Sequence, residues 1–430
     1  IRECAGPWAS RIVLAAKPHQ EHVSDIDQFV WRMCVSYRGL NSVTCPFEYP
    51  ITRCAHAIED FGDAVGPLFF ISLDARQGFH QIRVRFCDQE KLAFFAPDGK
   101  KYTYKVVPFG PRNAPAVYTA MMRQFRHEWD GMFQAAEDPT DGVYGSRVII
   151  DDILLWSNGV AKLLRYFECV CKIFRRYRCS FRLDKCDFFK GRFEYVGHDI
   201  TSEGNCPARS KFDLINDWPM PETTRSLHSF VGLVGFYSKF CPWFEVDLYE
   251  FRCLIQKHKH APGGAIPVAD WTAEHRALFA QLKHAVTSSP CLARYDSRLP
   301  CFLKTDWSAD GMGFVMMQPE DSEAANAAIA KLRSGGDCDF DITMKGARLQ
   351  PLVFGSRRCD KRERHFHSFV GEAACGRWAI GQCRRYLWGC HFYWICDCQA
   401  MKQIFDYDGN IHMVSRWAQE LFGYSFTVVH

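Results

Sequence analysis

The sequence predicts an α+β fold: an antiparallel sheet with helices on one face, then a helical segment, then a second block of strands and helices. Three observations predict it. Apolar strand-like runs between residues 60 and 110, and again at 145–157, alternate with segments of helical period. Residues 207–290 carry helical periods joined by a Gly- and Pro-rich loop, and from 291 onward strand patterns return and carry acids. At 430 residues and 47% hydrophobic, the chain has room for about two to four compact domains of roughly 100–200 residues each.

Taken in order, "LFFISLD" (68–74) reads as a buried strand ending on an acid, and "QIRVRF" (81–86) alternates like a half-buried strand. "KLAFFAPDGKKYTYKVV" (91–107) reads as two strands about an Asp98-Gly99 turn. "APAVYTAMMRQFRHEW" (114–129) is expected to be a helix with Val117, Met121 and Phe125 on its apolar stripe and Pro115 in its first turn. "GSRVIIDDILLWS" (145–157) returns to strand, its two acids falling where a tight hairpin would turn. The next helix, 161–177, puts Leu163, Leu164, Phe167, Val170, Cys171 and Phe174 on one face and its Arg and Lys on the other. Leu227, Phe230, Val231 and Val234 mark a further helix, and Leu278, Phe279 and Leu282 another. In the last block, "CFLKTDWSADGMGFVMMQ" (301–318) is strand-like, 319–350 reads as a polar insertion, 367–387 as a helix, and "HFYWICDCQAMKQIF" (391–405) as a strand leading into a helix.

Composition narrows the function classes. A net charge of +4 is too small to declare a nucleic-acid partner, but Arg and Lys gather with aromatics in "KIFRRYRCSFRLDK" (172–185) and "SRRCDKRERH" (356–365). No run of 18 or more apolar residues appears, so no membrane span is expected. The 21 cysteines contain no C-x-x-C pair, which speaks against a zinc framework. "IRECAGPWAS" has neither an initiator Met nor a signal-peptide pattern, so a piece of a longer, unsecreted polypeptide with reduced thiols is expected, working in a cytoplasmic particle or the nucleus.

Asp74, Asp151 and Asp152 each end or interrupt a strongly apolar run. A lone buried carboxylate is costly unless it is paired or binds a cation. On neighbouring strands their oxygens could converge on hard cations such as Mg²⁺, two of which would activate a 3′-hydroxyl and stabilise a leaving pyrophosphate. The alternative is a pair of acids in an exposed turn.

The order of motifs resembles one family. "WRMCVSYRGLN", "YPI", "FFISLDARQGFHQIRV", "VPFGPRNAPAVY", "VIIDDILLWS", "KCDFF", "FEYVGHDITSEG", "WPMPETTRSLHSFVGLVGFYSKF", "FLKTDWSADGMG" and "WICDCQAMK" follow the order of the reverse transcriptase and ribonuclease H region of gypsy-type LTR retrotransposon polyproteins. The resemblance implies a right-hand polymerase, with fingers and palm over 1–205 and a helical thumb and connection over 206–290, followed by a ribonuclease H-like α/β domain over 291–430. It implies an RNA-directed DNA polymerase that takes dNTP, an RNA template and a DNA primer, with two Mg²⁺ (or Mn²⁺) per active site and RNA–DNA hybrids as substrate of the last domain.

By the same resemblance, Asp74, Asp151 and Asp152 are the polymerase metal ligands, and Arg32, helped by Lys17, grips the triphosphate. Phe79 crowds the sugar 2′ position, Phe109 and Gly110 line the nucleotide pocket, and Val196 and Gly197 within "YVGH" hold the primer end. Asp306, Glu372 and Asp397 match the ribonuclease H metal ligands, while the family's closing segment with a further metal-binding Asp lies beyond "FTVVH". Three positions depart from the pattern: Ile149 stands where the family has Tyr, Ser36 where it has Asp, and Cys398 where it has His. A second reading is a decayed or repurposed copy that binds nucleic acid without catalysis.

Overall fold

The computed structural model describes residues 1–16, 31–50, 68–136, 143–189, 192–195, 197–201, 204–289, 291–320, 323, 326, 329–330, 349–403 and 412–430. They form two compact units, Ile1–Val196 and Gly197–His430. Among the described residues no helix is long and apolar enough to cross a membrane.

In the first unit, β1 (Arg11–Ala16) pairs antiparallel with β2 (Trp31–Ser36). A second hairpin joins β3 (Phe94–Phe95) to β4 (Lys101–Thr103) about Gly99, whose φ of 77° suits a residue without Cβ. "QIRVRF" does not form the expected strand. Ile82 and Val84 face inward and Arg83 and Arg85 outward, but the ladder there is a single bridge, Arg83 to Val106, between two short helical turns.

The main sheet follows. It is built from β5 (Phe69–Asp74), β6 (Tyr144–Ile149), β7 (Asp152–Ser157) and β8 (Asp187–Phe188), all antiparallel, in the spatial order β6-β7-β5-β8. Helices α1 (Ala114–Gln134) and α2 (Val160–Arg176) close one face, packing Tyr118, Met122, Trp129, Leu163, Tyr166 and Phe174 on Ile71, Leu73, Ile153 and Leu155.

Both helices are rotated from the expected orientation. α1 buries Tyr118, Met122, Phe125, Trp129 and Phe133, while Val117 is 38% exposed. The two candidate stripes lie one residue apart, and the one with the larger aromatic area wins the sheet. In α2, Tyr166 and Ile173 turn inward and Leu164 outward. The buried Tyr166 hydroxyl bonds the Ser146 hydroxyl at 2.9 Å and the Asp130 carboxylate, so its polar end is satisfied.

The second unit opens with β9 (His198–Thr201), β10 (Gly204–Pro207) and β11 (Leu292–Ala293), an antiparallel ladder. Here the expectation of reduced thiols fails at one pair. Cys206 and Cys291, at the next step of the β10–β11 register, are joined in a disulfide, because the ladder brings their Cα atoms to 4.6 Å across a sequence separation of 85. Helices α3 (Thr224–Gly235), α4 (Phe244–Lys257) and α5 (Ala273–Thr287) share one core. Thr223 and Thr272 cap α3 and α5, each accepting a backbone N–H at 3.1 Å. No sequence expectation covered α4, although Phe244, Leu248, Phe251 and Leu254 recur along it at helical spacing.

A five-stranded sheet completes the unit: β12 (Cys301–Trp307), β13 (Gly311–Pro319), β14 (Leu349–Arg358), β15 (His391–Ile395) and β16 (Ser425–Val429), ordered β14-β13-β12-β15-β16. The first three strands run antiparallel, whereas β12, β15 and β16 are mutually parallel. α6 (Ser368–Gln382) and α7 (His412–Leu421) pack on it. Two glycines set how close α6 lies. A Cβ on Gly371 would sit 2.2 Å from the Trp307 ring, and one on Gly376 would sit 1.7 Å from Trp394.

Gly376→Ala is therefore expected to destabilise the unit by about 1–3 kcal/mol through overpacking. Gly381→Ala, where a Cβ meets nothing within 4 Å, should stabilise it by up to about 1 kcal/mol through helix propensity. Chemical denaturation of the two variants measures both, and an unchanged Gly376→Ala midpoint would contradict the close approach.

Candidate active sites

The first cluster lies at one end of the main sheet. Asp74 is the last residue of β5 and stands directly opposite Asp152, the first residue of β7. Ile149 also pairs with Asp152, so Ile150 and Asp151 form a two-residue turn. Ile150 has φ of 51°. A β-branched residue in that region is strained by about 1–3 kcal/mol, a cost typical of turns that aim a side chain.

The Asp151 carboxylate lies against Gly78. Its Oδ1 is buried with no hydrogen-bond partner, and it lies 2.1 Å from where a Cβ on Gly78 would stand. Loss of solvation, then the nearby Asp74 charge, raises the Asp151 carboxyl above its ordinary value, against the opposing pull of the Tyr118 hydroxyl. Asp152 keeps solvent on one side, yet protein on the others, together with Asp74 and Asp151, pushes its carboxyl up to about 6. Among the described residues, Lys185 is the cation paired with these acids, its Nζ 3.9 Å from Asp74.

Beside these acids, Phe79 follows Gly78 in a short 3-10 turn (Gly78–Gln81) and makes edge contacts with Phe109 at 5.2 Å and Tyr118 at 5.4 Å between ring centroids. Phe109 is 48% exposed. Gly110 adopts φ of 108°, and its carbonyl accepts from Asn41 Nδ2 at 2.9 Å. Asn41 Oδ1 also accepts the Arg112 N–H at 2.8 Å, so one side chain pins the loop from both sides. Neither Asn41 nor Tyr118 received a role from the sequence. The only signal was their place inside quoted motif blocks. Arg32 sits in β2 opposite Ala15, but its side chain, Lys17 and Val196 lie outside the described residues. In the second unit Gly197, with φ of 73°, accepts through its carbonyl from the Tyr237 hydroxyl at 2.8 Å.

The second cluster is tighter. One carboxylate oxygen from each of Asp306, Glu372 and Asp397 lies within 4.8 Å of the others, a distance the three acids of the first cluster do not all meet. β12 and β15 are parallel neighbours, so Asp306 near the end of one and Asp397 just past the end of the other fall at the same edge, where parallel sheets form crevices. α6 brings Glu372 over them. Glu372 is 1% exposed, and its Oε1 accepts the Trp307 N–H at 3.1 Å while Oε2 is buried without a hydrogen-bond partner. Burial, then Asp397, pushes its carboxyl up to about 8. Burial and Asp397 also raise Asp306, with Lys304 opposing.

The second cluster has the geometry to hold a hard divalent cation. Each cluster also holds one buried carboxylate oxygen without a hydrogen-bond partner, Asp151 Oδ1 in the first and Glu372 Oε2 in the second.

Known proteins resemble this chain in sequence and fold. Residues 26–200 match the family described as reverse transcriptase (RNA-dependent DNA polymerase), and residues 296–424 match the RNase H-like domain found in reverse transcriptase. The retrovirus-related Pol polyprotein from transposon 297 of Drosophila melanogaster is 26% identical over 430 residues, covering 100% of this chain and 35% of its own length. The Pol polyprotein from transposon gypsy of the same organism is 25% identical over 83% of this chain and 31% of its own. This chain thus spans about a third of the length of the curated relatives it matches.

Among solved structures, the foamy viral protease-reverse transcriptase dRH in complex with double-stranded DNA aligns with TM-score 0.76 and 18% identity, over 99% of this chain and 66% of that one. The foamy viral protease-reverse transcriptase in complex with RNA/DNA hybrid aligns with TM-score 0.67 and 19% identity, over 98% and 50%. The chain belongs to the reverse transcriptase family, with its RNase H-like domain, of the Pol polyproteins of gypsy and other LTR retrotransposons.

Proposed function

We propose that this chain is an RNA-directed DNA polymerase that extends a DNA primer on an RNA template from dNTP. The observation that carries the reading is the crowding of Asp74, Asp151 and Asp152 at adjoining strand ends, with one oxygen unpartnered and Asp152 already resisting ionisation. Two bound Mg²⁺, for which Mn²⁺ is an expected substitute, would supply activation of the 3′-hydroxyl and charge neutralisation at the pyrophosphate.

The chain's own groups do the rest. The β5 and β7 ends fix two carboxylates face to face, and the Ile150–Asp151 turn delivers the third. Phe79, braced by Phe109 and Tyr118, is assigned to crowd a sugar 2′-hydroxyl, and Phe109 with the Asn41-pinned Gly110 loop to line the nucleotide pocket. Arg32 on β2 is assigned to the triphosphate, and Val196 and Gly197 to the primer end. Asp306, Glu372 and Asp397 form a second cation site that would direct water at the RNA strand of a hybrid. The foamy viral protease-reverse transcriptases, solved with double-stranded DNA and with RNA/DNA hybrid, support nucleic acid of this kind as partner.

Replacing Asp151 and Asp152 together by Asn should lower RNA-templated primer extension by more than roughly a hundredfold while leaving the thermal melt intact. Extension at the parent rate in that variant would refute the site.

The second cluster predicts a pH dependence. The folded value of Glu372, about 8, lies above its ordinary 4.5, so the neutral form's contribution to stability is complete below 4.5 and is lost as pH rises towards 8. Glu372→Gln resembles the neutral acid. Without metal, its Tm advantage over the parent should grow between about pH 5 and pH 8 and then level off, and saturating Mn²⁺ should reverse it. A difference flat in pH, or untouched by Mn²⁺, contradicts the assignment.

A further inference from the structure

Gln81 is a polar side chain that the proposed chemistry leaves unused, although it spans the strand end that carries Asp74. It closes the 3-10 turn Gly78–Gln81, which follows Gln77 in the left-handed region with φ of 51°. The turn brings the Gln81 amide back onto the chain it has just left. Its Nε2 donates to the Arg76 carbonyl at 2.5 Å and to the Ser180 carbonyl at 3.0 Å, and its Oε1 accepts the Ser180 N–H at 3.0 Å. An amide carries two N–H donors and one carbonyl acceptor, so every polar group of this side chain is engaged.

These bonds continue the sheet where its strand stops. β8 pairs with Ile71 and Ser72 of β5, and residues 180–182 take over from it beside the strand end. There the Arg182 N–H reaches the Asp74 carbonyl at 2.9 Å, the Arg76 N–H reaches the Ser180 carbonyl at 3.0 Å, and Ala75 forms a bridge with Phe181. The chain then turns away at Gln77, two residues past the bridge, and the ladder loses its next step. Gln81 supplies that step. It both gives a hydrogen bond to Ser180 and takes one from it, as the backbone of a facing strand residue does. The clamped segment runs on into the turn Leu183–Lys185, which holds the Lys185 ammonium beside Asp74.

We propose that Gln81 is a positioning residue for Asp74: its amide clamps the 180–182 segment to the strand end and so fixes the backbone from which the Asp74 carboxylate takes up a divalent cation. The inference rests on the reading of Asp74 as a polymerase metal ligand. Gln81 touches neither cation nor substrate in this role. It limits the movement of the main chain that carries a group which does, and small displacements of such groups are costly. The amide is the working part, because a side chain of similar length without it keeps the packing and loses all three bonds.

The test uses the full chain carrying Asp306→Asn and Glu372→Gln, so that Mn²⁺ binding reports on the polymerase acids. Mn²⁺ alone is titrated and followed by the electron paramagnetic resonance of the free ion. This parent is compared with Gln81→Met, Gln81→Leu and Asp74→Asn. Met keeps the length of the side chain, Leu is a second apolar replacement should Met misfold, and a thermal melt checks that each variant is folded. Either Gln81 variant should weaken Mn²⁺ binding by about tenfold, and Asp74→Asn by at least as much. In steady-state extension Gln81→Met should raise the metal concentration at half-maximal rate by a similar factor and leave KM for dNTP within about twofold. If Asp74→Asn loses Mn²⁺ but the folded Gln81 variants bind as the parent does, even with lowered melts, the positioning role is overturned and the site stands. If Asp74→Asn itself binds as the parent does, the metal-ligand reading fails and takes this inference with it.

Discussion

Like charges held close together, with little cationic compensation, are the constraint on which the rest of the structure depends. Asp74 and Asp152 face each other across neighbouring strands, a pairing that by itself destabilises a sheet. Asp306, Glu372 and Asp397 crowd within 4.8 Å. Among the described residues no arginine forms an ion pair with these acids. Lys185 stands 3.9 Å from Asp74, and the acids respond instead by holding their protons, Asp152 to about 6 and Glu372 to about 8. The converging carboxylates of the second cluster are compatible with a divalent cation.

That strain is carried by the surrounding apolar structure. Around the first cluster, Ile71, Leu73, Ile153 and Leu155 press one face of the sheet onto the aromatic stripes of α1 and α2, so the strand ends have little freedom to splay. Around the second, Gly371 and Gly376 let α6 lie directly on Trp307 and Trp394, and that approach puts Glu372 over the strand ends. The same logic recurs at Gly78, where a missing Cβ makes room for Asp151. The carboxylates are placed by packing, and their charge is left for a ligand to balance.

Much of this is legible in the sequence because acids in apolar strands are conspicuous. Asp74, Asp151 and Asp152 stand out from their neighbours without any knowledge of the fold, and the hairpin follows from two strand runs meeting at the acids. Glu372 does not stand out. A single acid on a helix looks like a surface residue, and only the packing of α6 on the sheet reveals that it is buried. The rotation of α1 was hidden because Val117 and Tyr118 offer adjacent stripes, and the choice depends on the volume the sheet must fill. The Cys206–Cys291 bond was hidden for a related reason: its partners meet only through a strand register set 85 residues apart. Gln81 and Asn41 were unreadable because a side-chain amide gains a role only from what the fold sets beside it.

The central claim is that the first cluster performs cation-dependent nucleotidyl transfer on an RNA template. The most direct measurement is extension of an oligo(dT) primer on poly(rA) by the unaltered chain, with dTTP and either Mg²⁺, Mn²⁺ or a chelator. The account predicts a ladder of extended primer with either cation and none in the chelator. Tight binding of the primed template with no extension under any cation, or extension that persists in the chelator, would contradict it.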